Sequence, residues 1–433
     1  MNADVVVVGA GVVGAGIALE LARGGRRVVV VDKAGGVGHG STSASSAIVR
    51  FTYSTLAGVA ASWEAKFGWE AWAEHLGGED PAGMARFQRT GMALLDVDIA
   101  PRRVFLPLLD QAGVPYEEWD AETLARRVPG IDVGRYWPPT PITDERFYAD
   151  ATTTLGAVYT PDAGYVTDPQ LAAQNLAWAA GRHGAHFVLH RRVTGFERGA
   201  DRITAVLLDD DTRIGTDVVV NAAGPWSAQI NALAGVGGDF TVGVRPMRQE
   251  VAHVPAPAGY NPDGGAGISI ADVDLGTYLR GEVGGGLLIG GTEPECDPLQ
   301  WLDSPDDADP RPTTAVFEAQ VTRAARRLTD LAVPNRPRGV VGVYDVADDW
   351  TPIYDKTELP GFYVAIGTSG NQFKNAPVIG KFLAAIVDQV ENGVDHDTTP
   401  VQVTTQHTGA TIDLSAFSRR RPANTRSSGT VMG

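Results

Sequence analysis

Apolar β-branched residues crowd the start of the chain. Asp4 to Val8 reads DVVVV, a run without polar alternation and too short for a helix, which predicts a strand buried on both faces. Gly9-Ala10-Gly11-Val12-Val13-Gly14 follows at once. AGIALELARGG then spaces its apolar residues at helical intervals and stops at Gly24-Gly25. RRVVVVD is a second buried run, ending at Asp32. Strand, glycine turn, helix and strand in this order form a parallel opening unit, the context that strengthens a GxGxxG match. In such a turn Gly9 permits the bend, Gly11 lets the backbone approach a pyrophosphate, and Gly14 lets the helix pack on the sheet. The helix N-terminus offers free N–H groups to phosphates. Asp32 is placed for ribose hydroxyls.

The pattern then changes. Gly38-His39-Gly40-Ser41-Thr42-Ser43-Ala44-Ser45-Ser46 is small and hydroxyl-rich before AIVRF. Such residues suit backbone lying against a long cofactor, which favours FAD over NAD. Residues 61–77 predict an amphipathic helix whose Trp63, Phe67, Trp69 and Trp72 read as core. FQRTGMALLDVD, VGVRPMRQEVAHVP, TYLRGEVGG and GLLIGGTE read as strands of a second region, and Phe187 to Asp217 as strands joined by turns. Two later segments repeat the opening grammar. VVVNAAGPWS is a buried strand stopped by Gly224-Pro225, and GFYVAIGTSGNQFKNAPVIGKFLAAIVDQV is strand, glycine loop and apolar helix. The polar residues 421–433 are expected to form a disordered tail. The Asp-rich stretch 303–310 reads as a solvated loop.

Length and composition narrow the class. A chain of 433 residues exceeds one compact core and suits two domains. With 43% hydrophobic and 20% charged residues it reads as a soluble globular protein. A net charge of −16, from 36 basic and 52 acidic side chains, repels nucleic acid and anionic lipid, so neither is an expected partner. Cys296 is the single cysteine, which excludes an intrachain disulfide and a multi-cysteine metal site. The histidines lack metal-ligand spacing, so no metal is expected. No apolar run reaches membrane-spanning length and no signal-peptide pattern opens the chain, so the expected location is cytoplasmic.

Taken in order, GAGVVG, GSTSASSAIVR, TPDAGYV, VVNAAGPW and GTSGNQFK resemble the D-amino-acid oxidase superfamily, and within it the sarcosine oxidase and sarcosine or dimethylglycine dehydrogenase branch. The resemblance runs from residue 4 to about residue 395. VVNAAGPW and the segment ending in Phe373-Lys374 carry most of it. It implies an α/β fold: a discontinuous Rossmann-like FAD-binding domain (1–87, 151–235 and 341–420) plus an α+β substrate domain (88–150 and 236–340). The second domain would hold a mainly antiparallel sheet over the flavin. It further implies an oxidoreductase acting on CH–NH bonds of a small amine or amino acid, such as an N-substituted glycine. Hydride transfer to flavin N5 would give an imine that hydrolyses, with oxygen or another electron acceptor as partner.

The resemblance also implies site residues. FAD contacts are expected at Gly9, Gly11, Val12, Val13, Gly14, Asp32, Lys33, Gly40, Ser41, Thr42, Ser45, Ser46 and Val193. A further set is Ala222, Ala223, Gly224, Trp226, Gly367, Gly370, Asn371, Gln372, Phe373 and Lys374. In the sarcosine oxidases a matching arginine and lysine clamp the substrate carboxylate, and Arg50 and Lys374 occupy those places. Tyr53 is a third catalytic candidate, and Tyr278 and Arg280 lie on a roof strand. An arginine–carboxylate fork supplies orientation as well as charge.

Three positions depart from the pattern. The dehydrogenase branch attaches FAD through a histidine in a Thr-Trp-His loop; here that loop reads Thr42-Ser43-Ala44, with His39 out of register. Monomeric sarcosine oxidases attach it through a cysteine, where this chain has Val346. FAD bound without a covalent link is therefore expected. The lysine that promotes reaction with oxygen aligns with Leu288, which leaves oxidase and dehydrogenase open. Two other readings share the fold: an FAD-dependent 2-hydroxy acid dehydrogenase, and a flavin-binding subunit of a larger complex.

Overall fold

The computed structural model describes residues 1–433. Val5–Val8 and Val28–Val31 are buried at every position. They lie inside a six-stranded sheet of order Ile353–Lys356, Phe362–Ile366, Val219–Asn221, Val5–Val8, Val28–Val31, His186–Val188. The pairings are parallel except at the Ile353–Lys356 edge. Because side chains alternate across a strand, Val5, Val7, Val28 and Val30 enter one core and Val6, Val8, Val29 and Val31 another. The first core is completed by helices Val12–Arg23, Pro169–Arg182 and Ala376–Glu391, through residues such as Ile17, Leu176 and Ile379. The second is covered by an antiparallel sheet of Val193–Arg198, Ile203–Leu208 and Arg213–Gly215. A continuous valine run is what a sheet covered on both faces requires.

The glycine turn between the first strand and helix is tightly closed. Gly9 has φ +109°, and a Cβ there would overlap the Ala222 carbonyl oxygen. A Cβ on Gly14 would overlap the Gly9 carbonyl. The turn therefore brings the helix N-terminus against the strand Val219–Asn221.

The second sheet has nine strands, in the order Gln300–Trp301, Val244–Pro255, Gly286–Gly291, Thr277–Gly281, Ser269–Asp272, Met92–Leu95, Ala157–Thr160, Glu117–Trp119, with Gly339–Ala347 also paired to Val244–Pro255. It is antiparallel apart from the pair Ser269–Asp272 and Met92–Leu95. Helix Thr314–Arg327 covers one face, where Phe317, Val321 and Ala324 meet Leu279, Leu287 and Ile289. The opposite face roofs the first domain.

Several sequence expectations change here. Residues 157–160 and 341–347, read from sequence as part of the cofactor domain, pair in the second sheet. Their β-pattern is the same in either sheet, so only pairing separates the two. The helix expected over 61–77 is two, Leu56–Glu70 and Trp72–Leu76, because Thr55 caps the Gly58 N–H at 3.2 Å and Ala71 leaves helical geometry. Residues 421–433, expected as a disordered tail, fold back onto the body. Arg421 pairs with Asp349 at 2.8 Å, and Thr430, Val431 and Met432 are buried. The polar composition of 422–429 concealed an anchor at each end.

Candidate active site

A cavity of about 1120 Å³ lies between the sheet ends of the first domain and the roof. That is above the roughly 300–1,000 Å³ of sites for drug-sized ligands. Its wall is built from the segments singled out in the sequence.

At one end stand the glycine turn and the first helix. Gly9, Gly11, Val12 and Val13 line the cavity, while Gly14 sits behind them as a packing residue. The leading N–H groups of a helix have no intrahelical acceptor; that of Val12 donates to Thr42 Oγ1 at 3.1 Å. Asp32 is held by the N–H groups of Ala10 (2.6 Å) and Ala34 (2.7 Å), and its carboxylate faces the cavity. Donors for a pyrophosphate and an acceptor for a ribose are thus in place, and the wall fits FAD. Lys33, Val193, Ala222, Ala223, Gly224 and Trp226 complete this end. Asp306, from the stretch read as a solvated loop, closes over it: it pairs with Lys33 at 2.6 Å and accepts from Trp226 Nε1 at 3.0 Å.

The hydroxyl-rich loop runs along the middle. Gly40, Ser41, Thr42, Ser45 and Ser46 all line the cavity. Ser41 Oγ donates to the Val343 carbonyl at 2.5 Å, and Ser46 Oγ meets Tyr278 Oη at 2.7 Å. The loop is therefore bonded to two roof strands. Of the roof candidates, Tyr278 reaches the cavity. Arg280 does not; it pairs with Glu282 at 2.7 Å above the Tyr165 ring.

At the far end are Gly370, Asn371, Gln372, Phe373, Lys374 and Arg50. Gly367 lies off the wall, at the bend (φ +67°) that turns the strand Phe362–Ile366 into this loop. Arg50 is 5% exposed and Lys374 3% exposed, and neither has a carboxylate partner. Arg50 donates to the carbonyls of Thr52 and Val431, the latter at 2.6 Å. Lys374 Nζ donates to Tyr53 Oη at 2.9 Å and to the Asn371 carbonyl at 2.5 Å. Burial lowers the Arg50 guanidinium from its ordinary pKa. Burial, reinforced by the charge of Arg50, holds the Lys374 ammonium well below the usual lysine value. Two cations buried without an anion are costly, and a bound carboxylate would relieve both.

Tyr53 is not on the wall. Its hydroxyl donates to the Asn371 carbonyl at 2.7 Å and its ring lies between the cations, 4.9 Å from Arg50 and 5.1 Å from Lys374. It holds Lys374 in place from behind. Trp69 does the same through the backbone: its Nε1 donates to the Lys374 carbonyl at 2.7 Å and its ring stacks on Phe373 at 5.4 Å.

Val346, the position aligned with the attachment cysteine, is packed with Met247, Trp350 and Val431 and does not line the cavity. Leu288 lies in the strand register opposite His253 and Arg280, also off the wall. Cys296 is elsewhere, beside Asp297 and Arg323. His39 lines the cavity, with its imidazole against Gly36.

Some wall residues were not legible in the sequence. Tyr344 packs its ring over Gly370, and Asp345 binds the Thr368 N–H at 2.9 Å, so the strand Gly339–Ala347 fastens the glycine loop. Gln249, Val431 and Met432 also line the far end. The VYDVADDWTP segment could have pointed to Tyr344 and Asp345, since it precedes the third cofactor segment. Nothing local marks Gln249 or the C-terminal residues.

The sequence profile of the family described as "FAD dependent oxidoreductase" (DAO) matches residues 4–386. Glycine oxidase of Geobacillus kaustophilus (strain HTA426) is 26% identical over 402 residues, covering 90% of this chain and 94% of the relative. Sarcosine oxidase subunit beta of an Arthrobacter species is 25% identical over 395 residues, 88% of this chain and 86% of the relative. Among solved structures, L-proline dehydrogenase from P. horikoshii superposes with a TM-score of 0.74 at 23% identity, over 90% of this chain and 94% of that one. No helix is long and apolar enough to cross a membrane.

Proposed function

The chain belongs to the FAD dependent oxidoreductase (DAO) family and uses FAD, and from that premise we propose that it oxidises a small amino acid or N-substituted glycine at the carbon next to the nitrogen. The observation that carries this reading is the pair Arg50 and Lys374: two buried basic side chains, both on the cavity wall, without a carboxylate partner. A substrate carboxylate placed between them gains charge-assisted hydrogen bonds from both, and the arginine fork fixes its orientation. Glycine oxidase and sarcosine oxidase subunit beta, named for carboxylate-bearing amines, are the relatives that favour this substrate class.

The residues divide the work. Gly11 and Val13, at the helix N-terminus, would offer N–H groups to the pyrophosphate of FAD, and Asp32 would accept from its ribose. Arg50 and Lys374 would hold the substrate by its carboxylate. Tyr53 and Trp69 keep Lys374 from turning away. Tyr278, Tyr344 and Val251 roof the site and exclude water. FAD supplies the hydride acceptor, at flavin N5. An amine substrate that arrives neutral needs no strong base from the wall. The imine product hydrolyses in water.

FAD is held without a covalent bond in this reading. No cysteine reaches the cavity, and the imidazole of His39 is turned onto Gly36. Acid precipitation of the protein releases free flavin if so, and leaves yellow precipitate if His39 carries it. The reaction class is tested by anaerobic flavin bleaching with sarcosine, dimethylglycine, glycine, proline, D- and L-amino acids and 2-hydroxy acids. Bleaching by an amine is the expected result, and admitting air then separates oxidase from dehydrogenase. Bleaching by hydroxy acids alone would replace this reading with that of a hydroxy acid dehydrogenase. A yellow protein bleached by none would overturn it.

A further inference from the structure

Part of the far end of the cavity is closed from outside both sheets. Val431 and Met432 close it, beside Arg50 and Tyr344. The Val431 peptide crosses the site. Its carbonyl accepts from Arg50 Nη2 at 2.6 Å, and its N–H donates to Glu293 Oε2 at 2.7 Å. Glu293 follows the roof strand Gly286–Gly291, and its other oxygen accepts from Gln249 Nε2 at 3.0 Å. Hydrogen bonds thus run from the floor cation, through one residue of the C-terminal segment, to the roof. Glu293 has no cationic partner; only N–H donors hold it.

The same segment is fastened upstream. Arg421 grips the buried Asp349 through Nη2 at 2.8 Å and Nε at 3.2 Å, and Asn424 Nδ2 donates to Ser54 Oγ at 2.8 Å. Residues 422–429 between the two anchors are largely exposed, whereas Met432 is 6% exposed. Gly433 lies against the Tyr53 ring. This is a strap fixed at both ends, with its second anchor inside the active site.

We propose that Val431 and Met432 are specificity-determining residues, forming the wall that limits the substrate's side chain or N-substituent, and that Glu293 is the positioning residue that seats them. The inference rests on reading Arg50 and Lys374 as the carboxylate clamp. A carboxylate on Arg50 lies alongside the Val431 peptide, so whatever extends from the α-carbon meets the Met432 side chain. Size selection is then set by a segment outside both sheets.

The test uses the holoenzyme, with acetate and benzoate as carboxylates of two sizes titrated against flavin absorbance. Sulfite addition to the flavin reports access to the ring. Removing residues 428–433, and separately Met432→Ala, tightens benzoate relative to acetate by roughly tenfold or more, the scale on which one pocket group discriminates. Glu293→Ala and Val431→Pro, which lacks the N–H that Glu293 receives, shift the ratio the same way. Glu293→Gln restores it, because the amide oxygen still accepts. Truncation raises the sulfite rate by roughly tenfold. FAD stoichiometry equal to the parent's identifies a folded variant. A benzoate-to-acetate ratio and sulfite rate within about twofold of the parent in the truncated enzyme would overturn the proposal. If neither carboxylate perturbs the parent flavin, the clamp reading fails by itself, and the sulfite rate decides the strap.

Discussion

Arg50 and Lys374 each give two hydrogen bonds to backbone carbonyls or the Tyr53 hydroxyl, keep further donors free, and meet no carboxylate inside the protein. Replacing Arg50 by alanine removes one half of the clamp. Hydrogen bonds to charged groups contribute about 1.5–3 kcal/mol, so the variant's substrate affinity falls by roughly 10- to 150-fold. Carboxylate titration of the flavin spectrum reads this directly. Lys374 gives a pH signature. Its pKa is held well below the ordinary lysine value by burial and then by Arg50. The protonated form binds the carboxylate, so affinity is full below that depressed pKa and declines as pH rises through it. Lys374→Met binds more weakly and loses this dependence. A parent enzyme whose carboxylate affinity is flat up to the usual lysine range would contradict the assignment. Both residue types were legible in sequence as candidates, because each ends a cofactor segment. Their lack of counterions was not, since it depends on what the fold leaves out.

At the scale of elements, the glycine turn and the loops packed on it decide whether FAD binds. Gly9 has φ +109° and no room for a Cβ beside the Ala222 carbonyl. Gly9→Ala therefore costs roughly 1–3 kcal/mol for the backbone conformation alone, and displaces the first helix from Val219–Asn221. The expected outcome is loss of bound FAD, read as flavin absorbance per protein, with a lowered unfolding midpoint. A variant that retains full FAD would mean that the helix N-terminus does not carry the pyrophosphate. The opening unit was readable because its hydrophobic period, its glycines and Asp32 act locally. The strand Gly339–Ala347 was not assigned to the right sheet. Alternating residues fit an edge of either, and only pairing with Val244–Pro255 decides.

For the molecule as a whole, buried charge ties the covering helix to the roof. Arg327 on the helix Thr314–Arg327 pairs with Asp272 at 2.8 Å and Asp274 at 2.7 Å, all three fully buried. Burial, then the charge of Asp272, raises the Asp274 carboxyl to about 6 in spite of Arg327. Arg327→Met would leave two buried carboxylates unpaired, a loss of about 3–5 kcal/mol. A raised folded pKa means that the folded state binds the proton more tightly than the unfolded state. Stability in the variant is therefore recovered as pH falls and lost as it rises through the raised value of Asp274. Urea unfolding at pH 5 and pH 8 tests this: the deficit is larger at pH 8. An equal deficit at both would show that the acids find other partners.

The sequence by itself determined what is local or repeated along the chain: two valine strands, the glycine turn, Asp32, the hydroxyl loop, the third glycine segment with Lys374, and through them the family. These rest on short-range periodicity and on backbone conformations that only certain residues tolerate. Tertiary structure decided what depends on distant segments meeting. It put Asp306 over Lys33, joined Tyr344 to Gly370, set Tyr53 and Trp69 behind Lys374, and carried Val431 between Arg50 and Glu293. Such contacts leave no mark in a local pattern, because the energy that selects them comes from burial and pairing available only in the closed fold.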